Sequence, residues 1–364
     1  MKTKQFWYPL PERLIAQHPA DRRGTEKMMV LHRATGVIEH RHIADIAEYL
    51  TQDDLLVVND TKVFPARLIG TWADSPGAVE VLMVNPAAGA IPEEALAKNS
   101  VVWNVMLGSG RPCREGQTAV FGPCKELAVT LAKPLGCGMW QAVFKSDRPL
   151  NELLDAFGKI PVPPYVKREG TAEEEKEDRL RYQTIYARHI GSVAAPTAGL
   201  HFTPEIFAAL EAKGVRRVAV TLHVGPGTFR PVKAENIEDH VMDFEAFTIP
   251  PETADAINET KAKGGRIVCV GSTTVRTLET VAARDKKDGE PLIAAGSGAS
   301  NIFIYPPYEF RATDAMLTNF HLPQSTLLMM TSALAGRERM LCAYAFAVRK
   351  EYKFFSYGDC MLIL

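Results

Sequence analysis

Two textures of hydrophobic patterning alternate along the chain. LPERLIAQHPADRR offers a short amphipathic segment ending on the basic pair Arg22 and Arg23, and MMVLHR then reads as a strand. TGVIEHRHIADIAEYL reads as strand, turn and helix. DLLVVND reads as a buried strand that runs into four polar residues, Asn59, Asp60, Thr61 and Lys62, where α/β proteins commonly bind ligands. From Val63 to about Lys145 the texture changes. AVEVLMV, VVWNVML, GQTAVF, ELAVTLAK and GMWQAVFK are short strand-like runs separated by Gly, Pro and Ser, and only PEEALAK suggests a helix. Such runs predict a small barrel or sandwich.

A helix, NELLDAFG, and a stiff proline-rich connector, KIPVPPYVKREG, close that region. The charges of TAEEEKEDRLR predict a solvated helix face or a mobile loop. Strand and helix grammar then returns. IFAALEAKG is a helix stopped by Gly214, RRVAVTLHVG a buried strand, and MDFEAFTI an alternating strand. PPETADAINETKAKGG is a helix, and RIVCVG a strand that turns through Ser272, Thr273 and Thr274 into a further helix. DAMLTNFHLP reads as a loop before two helices, QSTLLMMTSALAG and RERMLCAYAFAVRKEY. The predicted class is α/β: an α/β sandwich domain built from both chain ends, residues 1–62 and 150–364, with an inserted small all-β barrel domain over residues 63–149.

Residues 191–202 fit neither texture. They pass without Lys, Arg, Asp or Glu, are mostly small, and carry one ionisable side chain, His201. Small residues let backbone approach another element or a ligand closely. The run feeds a helix start: Thr203 as N-cap, Pro204 at the first helical position, Glu205 in the first turn. His201 therefore stands just before a helix N-terminus, where anionic groups are favoured.

Composition narrows the options only modestly. The 364 residues suffice for about two domains, and 46% hydrophobic with 23% charged residues is ordinary for a soluble protein. A net charge of −1 gives no global signature of a nucleic-acid binder, although one RNA loop needs only a local patch. The six cysteines form no CxxC pair and no Cys/His ligand spacing, so no structural zinc is expected and a reducing cytoplasmic setting fits. No signal peptide and no apolar run of membrane-spanning length are legible, so no membrane association is expected.

Four polar clusters break into apolar context: NDTKVFPARL, AGLHFT, TLHVGPGTF and TNFHLPQST. Three contain a histidine, His201, His223 and His321, each beside a Gly- or Pro-shaped loop, and imidazole moves protons best near neutral pH. GSTTVR has an anion-friendly strand-Gly-helix geometry. RYQTIYAR interleaves cations and aromatics, as nucleic-acid surfaces do. No G-x-S-x-G elbow exists for a serine hydrolase. These residues reach an α/β enzyme with a polar, histidine-containing cleft, but no particular reaction. An RNA-binding module with the β insert as its platform and a small-molecule nucleotide enzyme both remain open at this point.

LVVNDTKVFPARLIG, DRLRYQTIYA, GSVAAPTAGLHFT, TLHVGPGTFRPV, TTVRTLE, TNFHLPQSTLLM and FFSYGD, in this order, resemble the S-adenosylmethionine:tRNA ribosyltransferase-isomerase (QueA) family of queuosine biosynthesis. Three departures stand out: Asp243 stands where the family pattern has a second histidine, Pro307 stands where Gly is usual, and Glu26-Lys27 replaces a Ser-Arg pair. The resemblance implies transfer and isomerisation of the ribosyl part of S-adenosylmethionine onto 7-aminomethyl-7-deazaguanine at the tRNA wobble position. Epoxyqueuosine is then the product, with adenine and methionine released. It implies no metal and no cofactor beyond that co-substrate, a cytoplasmic monomer, and the tRNA anticodon loop as partner. On this basis His201 and His321 are the leading acid/base candidates, with His223 third and Asp60 placed to hold the amine or the sulfonium. Arg276 is expected to take the methionine carboxylate, with Thr197, Asn319 and Thr228 as further substrate contacts. Lys62, Arg67, Arg179 and Arg181 are expected on the tRNA.

Overall fold

The computed structural model describes all residues but Cys137, Arg230, Pro231 and 284–288, and leaves the side chains of Ala88, Thr228 and Phe229 aside. The strands before the barrel are β1 (Lys27–His32), β2 (Val37–His42), β3 (Leu55–Asn59) and β4 (Thr61–Val63). Those of the barrel are β5 (Arg67–Trp72), β6 (Ala78–Pro86), β7 (Ser100–Ser109), β8 (Thr118–Phe121), β9 (Leu127–Gly136) and β10 (Met139–Ser146). After it come β11 (His189–Ser192), β12 (Arg216–Leu222), β13 (Glu245–Ile249), β14 (Ile267–Val270), β15 (Gly296–Ser300), β16 (Ala315–Asn319) and β17 (Cys360–Ile363). The first four helices are α1 (Pro92–Leu96), α2 (Leu150–Phe157), α3 (Ala172–Arg181) and α4 (Pro204–Ala212). The remaining four are α5 (Pro251–Ala262), α6 (Ser272–Ala282), α7 (Thr326–Ala335) and α8 (Arg337–Arg349).

Nine strands form the main sheet in the order β15-β13-β12-β3-β14-β16-β17-β1-β2. At its centre β12, β3, β14 and β16 run parallel; β13 and β15 continue antiparallel on one side, and on the other β17 is antiparallel to β16, β1 parallel to β17 and β2 antiparallel to β1. Parallel strands must be covered on both faces, and β3, β14 and β16 are buried at every position. Leu55, Val57, Ile267 and Met316 meet α5 to α8 on one face, while Leu56, Val58, Val268 and Leu317 meet α4 and the turn of 3-10 helix Ile43–Glu48 on the other. Because β3, which precedes the barrel in sequence, lies between β12 and β14, which follow it, one core joins both chain ends. The six strands β5 to β10 close a separate antiparallel barrel around Trp72, Trp103, Phe121 and Phe144.

Three expected elements differ. The segment DAMLTNFHLP is not all loop: Ala315–Asn319 is β16, a central strand. Its short apolar run ending in Thr318 and Asn319 carries no strand period, and its neighbours β14 and β17 supply the hydrogen bonds that make it one. The helix expected in HIADIAEYL is a 3-10 segment, and LPERLIAQ holds only one 3-10 turn, Glu12–Leu14. The barrel also gains a strand, β5, from RLIGTW, which the sequence merges with the polar cluster before it.

The candidate active site

The parallel strands β3, β12, β14 and β16 end together, and the loops beyond their carboxyl ends form a cleft, the usual ligand position in an open α/β sheet. Asn59 fixes this rim. Its amide nitrogen donates to the Leu222 carbonyl (3.0 Å) and meets Thr273 Oγ1 (3.1 Å), while its oxygen accepts from the backbone N–H groups of Thr61 and Leu222 (3.1 and 3.0 Å). It is fully buried and ties β3, β12 and the start of α6 together, a structural role. Gly271 makes the turn into α6 at φ +83°, where a side chain would be strained. The cleft encloses about 150 Å³. Pro196, Thr197 and Ala198 line one wall, Ser272 and Thr273 another, and Thr318, Asn319 and His321 to Leu327 with Tyr165, Phe355 and Ser356 complete it.

Of the proposed site residues, His321, Asn319 and Thr197 line this cleft together. His321 is 8% exposed; its Nε2 shares a hydrogen bond of 2.9 Å with Thr318 Oγ1, and its backbone N–H donates to the Tyr344 hydroxyl (3.0 Å). The Tyr8 hydroxyl donates to its carbonyl, so the loop is braced from two sides. Burial holds the imidazole pKa down at about 3, so the ring is neutral near pH 7 and acts as a neutral hydrogen-bonding group. Asn319 donates to the Phe355 carbonyl (2.9 Å), and its side-chain oxygen is buried without a partner among the described residues.

His201 lies in a different, smaller cavity of about 10 Å³, lined also by Arg23, Glu26, Arg181, Ser356 and Tyr357. Ser356 lines both cavities. The ring is 2% exposed, neither nitrogen has a hydrogen-bond partner among the described residues, and Nδ1 stands 3.8 Å from Glu26 Oε2. The small residues before it allow this packing: a side chain at Gly199 would collide with the Tyr186 hydroxyl.

His223 and Asp60 stand apart from both cavities. His223 Nδ1 pairs with Thr61 Oγ1 at 2.8 Å, and burial, aided by the charge of His189, lowers its pKa to about 4. Asp60 accepts from Thr221 Oγ1 (2.6 Å) and lies 3.7 Å from His189 Nε2; burial raises its carboxyl above the ordinary value despite these contacts. The three histidines thus do not share one pocket. The side chain of Thr228 lies outside the described residues.

Arg276 projects from the first turns of α6 into a second cavity, about 60 Å³, which adjoins the cleft at Thr326 and Leu327. Its Nη1 pairs with Glu245 Oε2 at 2.5 Å, and Glu245 also accepts from the Gly225 N–H (3.0 Å). Arg276 is 5% exposed, yet Nε and Nη2 have no partner among the described residues. Two free N–H directions on a buried guanidinium suit a carboxylate.

The four cations expected on tRNA divide. Lys62 is exposed on β4. Arg67 is paired with Glu80 (2.8 Å), and Arg179 donates to the Gly158 carbonyl beside it, where Arg67 also exchanges backbone hydrogen bonds with Lys159. Arg181 donates to the Ala20 carbonyl (2.6 Å) and borders the His201 cavity.

Sequence reasoning missed Tyr165, Phe355, Ser356, Glu245 and Glu26. Tyr165 came from the proline-rich connector; it stacks on Phe355 at 4.2 Å and shares a 2.5 Å hydrogen bond with Ser356. Phe355 sits at φ +72°, an uncommon conformation for a bulky residue. FFSYGD was legible as a motif, but nothing in it marked Ser356 as a residue that lines two cavities.

The profile of a family described as queuosine biosynthesis protein matches residues 3–363. An S-adenosylmethionine:tRNA ribosyltransferase-isomerase of Caldanaerobacter subterraneus subsp. tengcongensis is 47% identical over the full length of both chains, and one of Moorella thermoacetica 46% over the full length of both. The crystal structure of a Thermotoga maritima S-adenosylmethionine tRNA ribosyltransferase is 34% identical, covers 99% of this chain and all of its own, and has a TM-score of 0.53. Matched from end to end, this chain belongs to the queuosine biosynthesis protein family.

Proposed function

We propose that the protein transfers and isomerises the ribosyl moiety of S-adenosylmethionine onto 7-aminomethyl-7-deazaguanine at the wobble position of tRNA, giving epoxyqueuosine, adenine and methionine. The observation that carries this reading is the end-to-end kinship with enzymes of that name, 44–47% identical without a gap in coverage.

The chemistry asks for a seat for S-adenosylmethionine, a route for two proton movements and an entry for RNA. The cleft and its side cavity suit the first. The adenosine part lies along Thr197, Asn319 and His321, with the orphan Asn319 oxygen accepting from an amino group, and the methionine carboxylate reaches the free N–H groups of Arg276. The sulfonium acidifies the adjoining ribose carbon, so a base must take that proton, and adenine departs as the amine attacks the anomeric carbon. A neutral His321 polarises rather than protonates, which leaves His201, with a carboxylate beside it, as the better proton carrier. His223 and Asp60 support the rim, on the barrel side, where the acceptor base would enter. Lys62, Arg67, Arg179 and Arg181 meet the RNA backbone. In this reading the barrel domain spans about residues 63–149, no cofactor beyond S-adenosylmethionine is used, and the enzyme works as a cytoplasmic monomer.

The test mixes the purified protein, S-adenosylmethionine and an anticodon stem-loop carrying 7-aminomethyl-7-deazaguanine, and follows free adenine and the mass of that nucleotide. Adenine release with a matching mass gain is the expected result. RNA bound without either would overturn the enzymatic reading and leave an RNA-binding module.

A further inference from the structure

A buried imidazole normally has a partner for at least one nitrogen, since an unpaired polar atom in a protein interior costs free energy. His201 has none within hydrogen-bond distance among the described residues, although it is 98% enclosed by the elements that made its loop. The acidic group nearest its ring is Glu26, whose Oε2 lies 3.8 Å from Nδ1. That separation is an ion-pair distance, longer than a hydrogen bond.

Glu26 is itself built in. It stands just before β1, its Oε2 accepts from the Gly24 N–H at 2.8 Å, and Gly24 holds a left-handed φ of +88°. Burial raises the carboxyl, and His201 with the backbone N–H groups more than offsets this, so the net shift is downward and Glu26 stays ionised. Other charges face the same ring. Arg23, from the same segment, and Arg181, from α3, line the cavity and disfavour an imidazolium. Asp359, from the loop before β17, is within electrostatic reach and favours it, and Tyr357 closes the wall. Two guanidinium groups thus oppose two carboxylates, and of these groups Glu26 alone is placed at ion-pair distance from the ring.

We propose that Glu26 is the positioning residue for His201: its carboxylate orients the imidazole and favours its protonated form in a cavity that shares the wall residue Ser356 with the cleft. Glu26 acts through His201 and itself touches no substrate. The inference rests on the reading of His201 as a proton carrier. It also gives a meaning to the sequence departure at this position, since a serine there could orient the ring but not balance a charge. Glu26 is therefore a tuning device of this chain, which sets the pH range over which His201 carries a proton.

The experiment follows the His201 ring in the intact protein by NMR with labelled histidine, the signal being assigned as the one missing in His201→Gln, and records the pH dependence of kcat. In Glu26→Gln and Glu26→Ser, which remove the carboxylate 3.8 Å from Nδ1, the His201 ring signals should change over at lower pH than in the unaltered protein. The matching limb of the kcat profile should move with it, while KM for both substrates stays within about twofold. Glu26→Asp, which keeps the charge, should restore most of the shift. An unchanged His201 midpoint in a folded Glu26→Gln protein overturns the pairing. A shifted midpoint with an unmoved kcat limb overturns its catalytic meaning. Full activity of His201→Ala would instead sink the reading of His201, leaving the NMR result to decide the pairing alone.

Discussion

Replacing Arg276 by Gln separates two roles that the buried guanidinium combines. One is internal: Nη1 neutralises Glu245, which is equally buried. Removing one partner of such a pair costs about 3–5 kcal/mol, because a charge is left stranded. The lower end, about 3 kcal/mol, is expected here, since Glu245 keeps the Gly225 N–H. The other role is external. Nε and Nη2 have no partner among the described residues, Arg276 lines a cavity that adjoins the cleft, and hydrogen bonds to a charged ligand group contribute about 1.5–3 kcal/mol. Their loss should weaken S-adenosylmethionine binding about 10- to 150-fold. Calorimetric titration with S-adenosylmethionine reads the second effect and chemical denaturation the first. The double variant Arg276→Gln/Glu245→Gln should regain most of the stability, because two neutral amides can pair, but none of the affinity. If the single variant is destabilised while S-adenosylmethionine binds within about twofold of normal, Arg276 is only a structural counter-charge and the carboxylate seat lies elsewhere.

The two depressed histidines make stability depend on pH with a definite sign. Folded His321 and His223 take up protons only near pH 3 and 4, whereas the unfolded chain does so near 6.5. Unfolding therefore binds protons between those values, so stability is complete above about pH 6.5 and falls on acidification, by up to about 1.4 kcal/mol per pH unit for each ring. Denaturation of His321→Asn across pH 4–7 should show one such slope removed, and an identical slope in wild type and variant would refute the assignment. On the RNA side, Lys62→Ala should flatten the salt dependence of stem-loop binding by about 0.7, the share of one single-strand phosphate. Arg67→Ala should change it less, because Glu80 already engages that side chain. Equal changes in the two would contradict the pairing seen in the structure.

The sequence by itself determined the α/β class, the strand-rich region in the middle of the chain and the helix that starts at Thr203, because these depend on period and on local capping. Thr203 does cap α4, its hydroxyl accepting from the Ile206 N–H at 3.3 Å. The parallel strands were legible as apolar runs because both of their faces are covered. β16 was not, since its strand character comes from β14 and β17 rather than from its own residues. The same division holds in the site. Glycine, proline and histidine in polar clusters marked the loops at the strand ends, but residue type says nothing of which way a side chain points. Only the tertiary structure sent His321 into the large cleft, His201 into a small cavity behind Ser356 and His223 onto Thr61. It alone brought Glu26 and His201, 175 positions apart in the numbering, to 3.8 Å, because burial and charge pairing are set by what the folded chain places side by side.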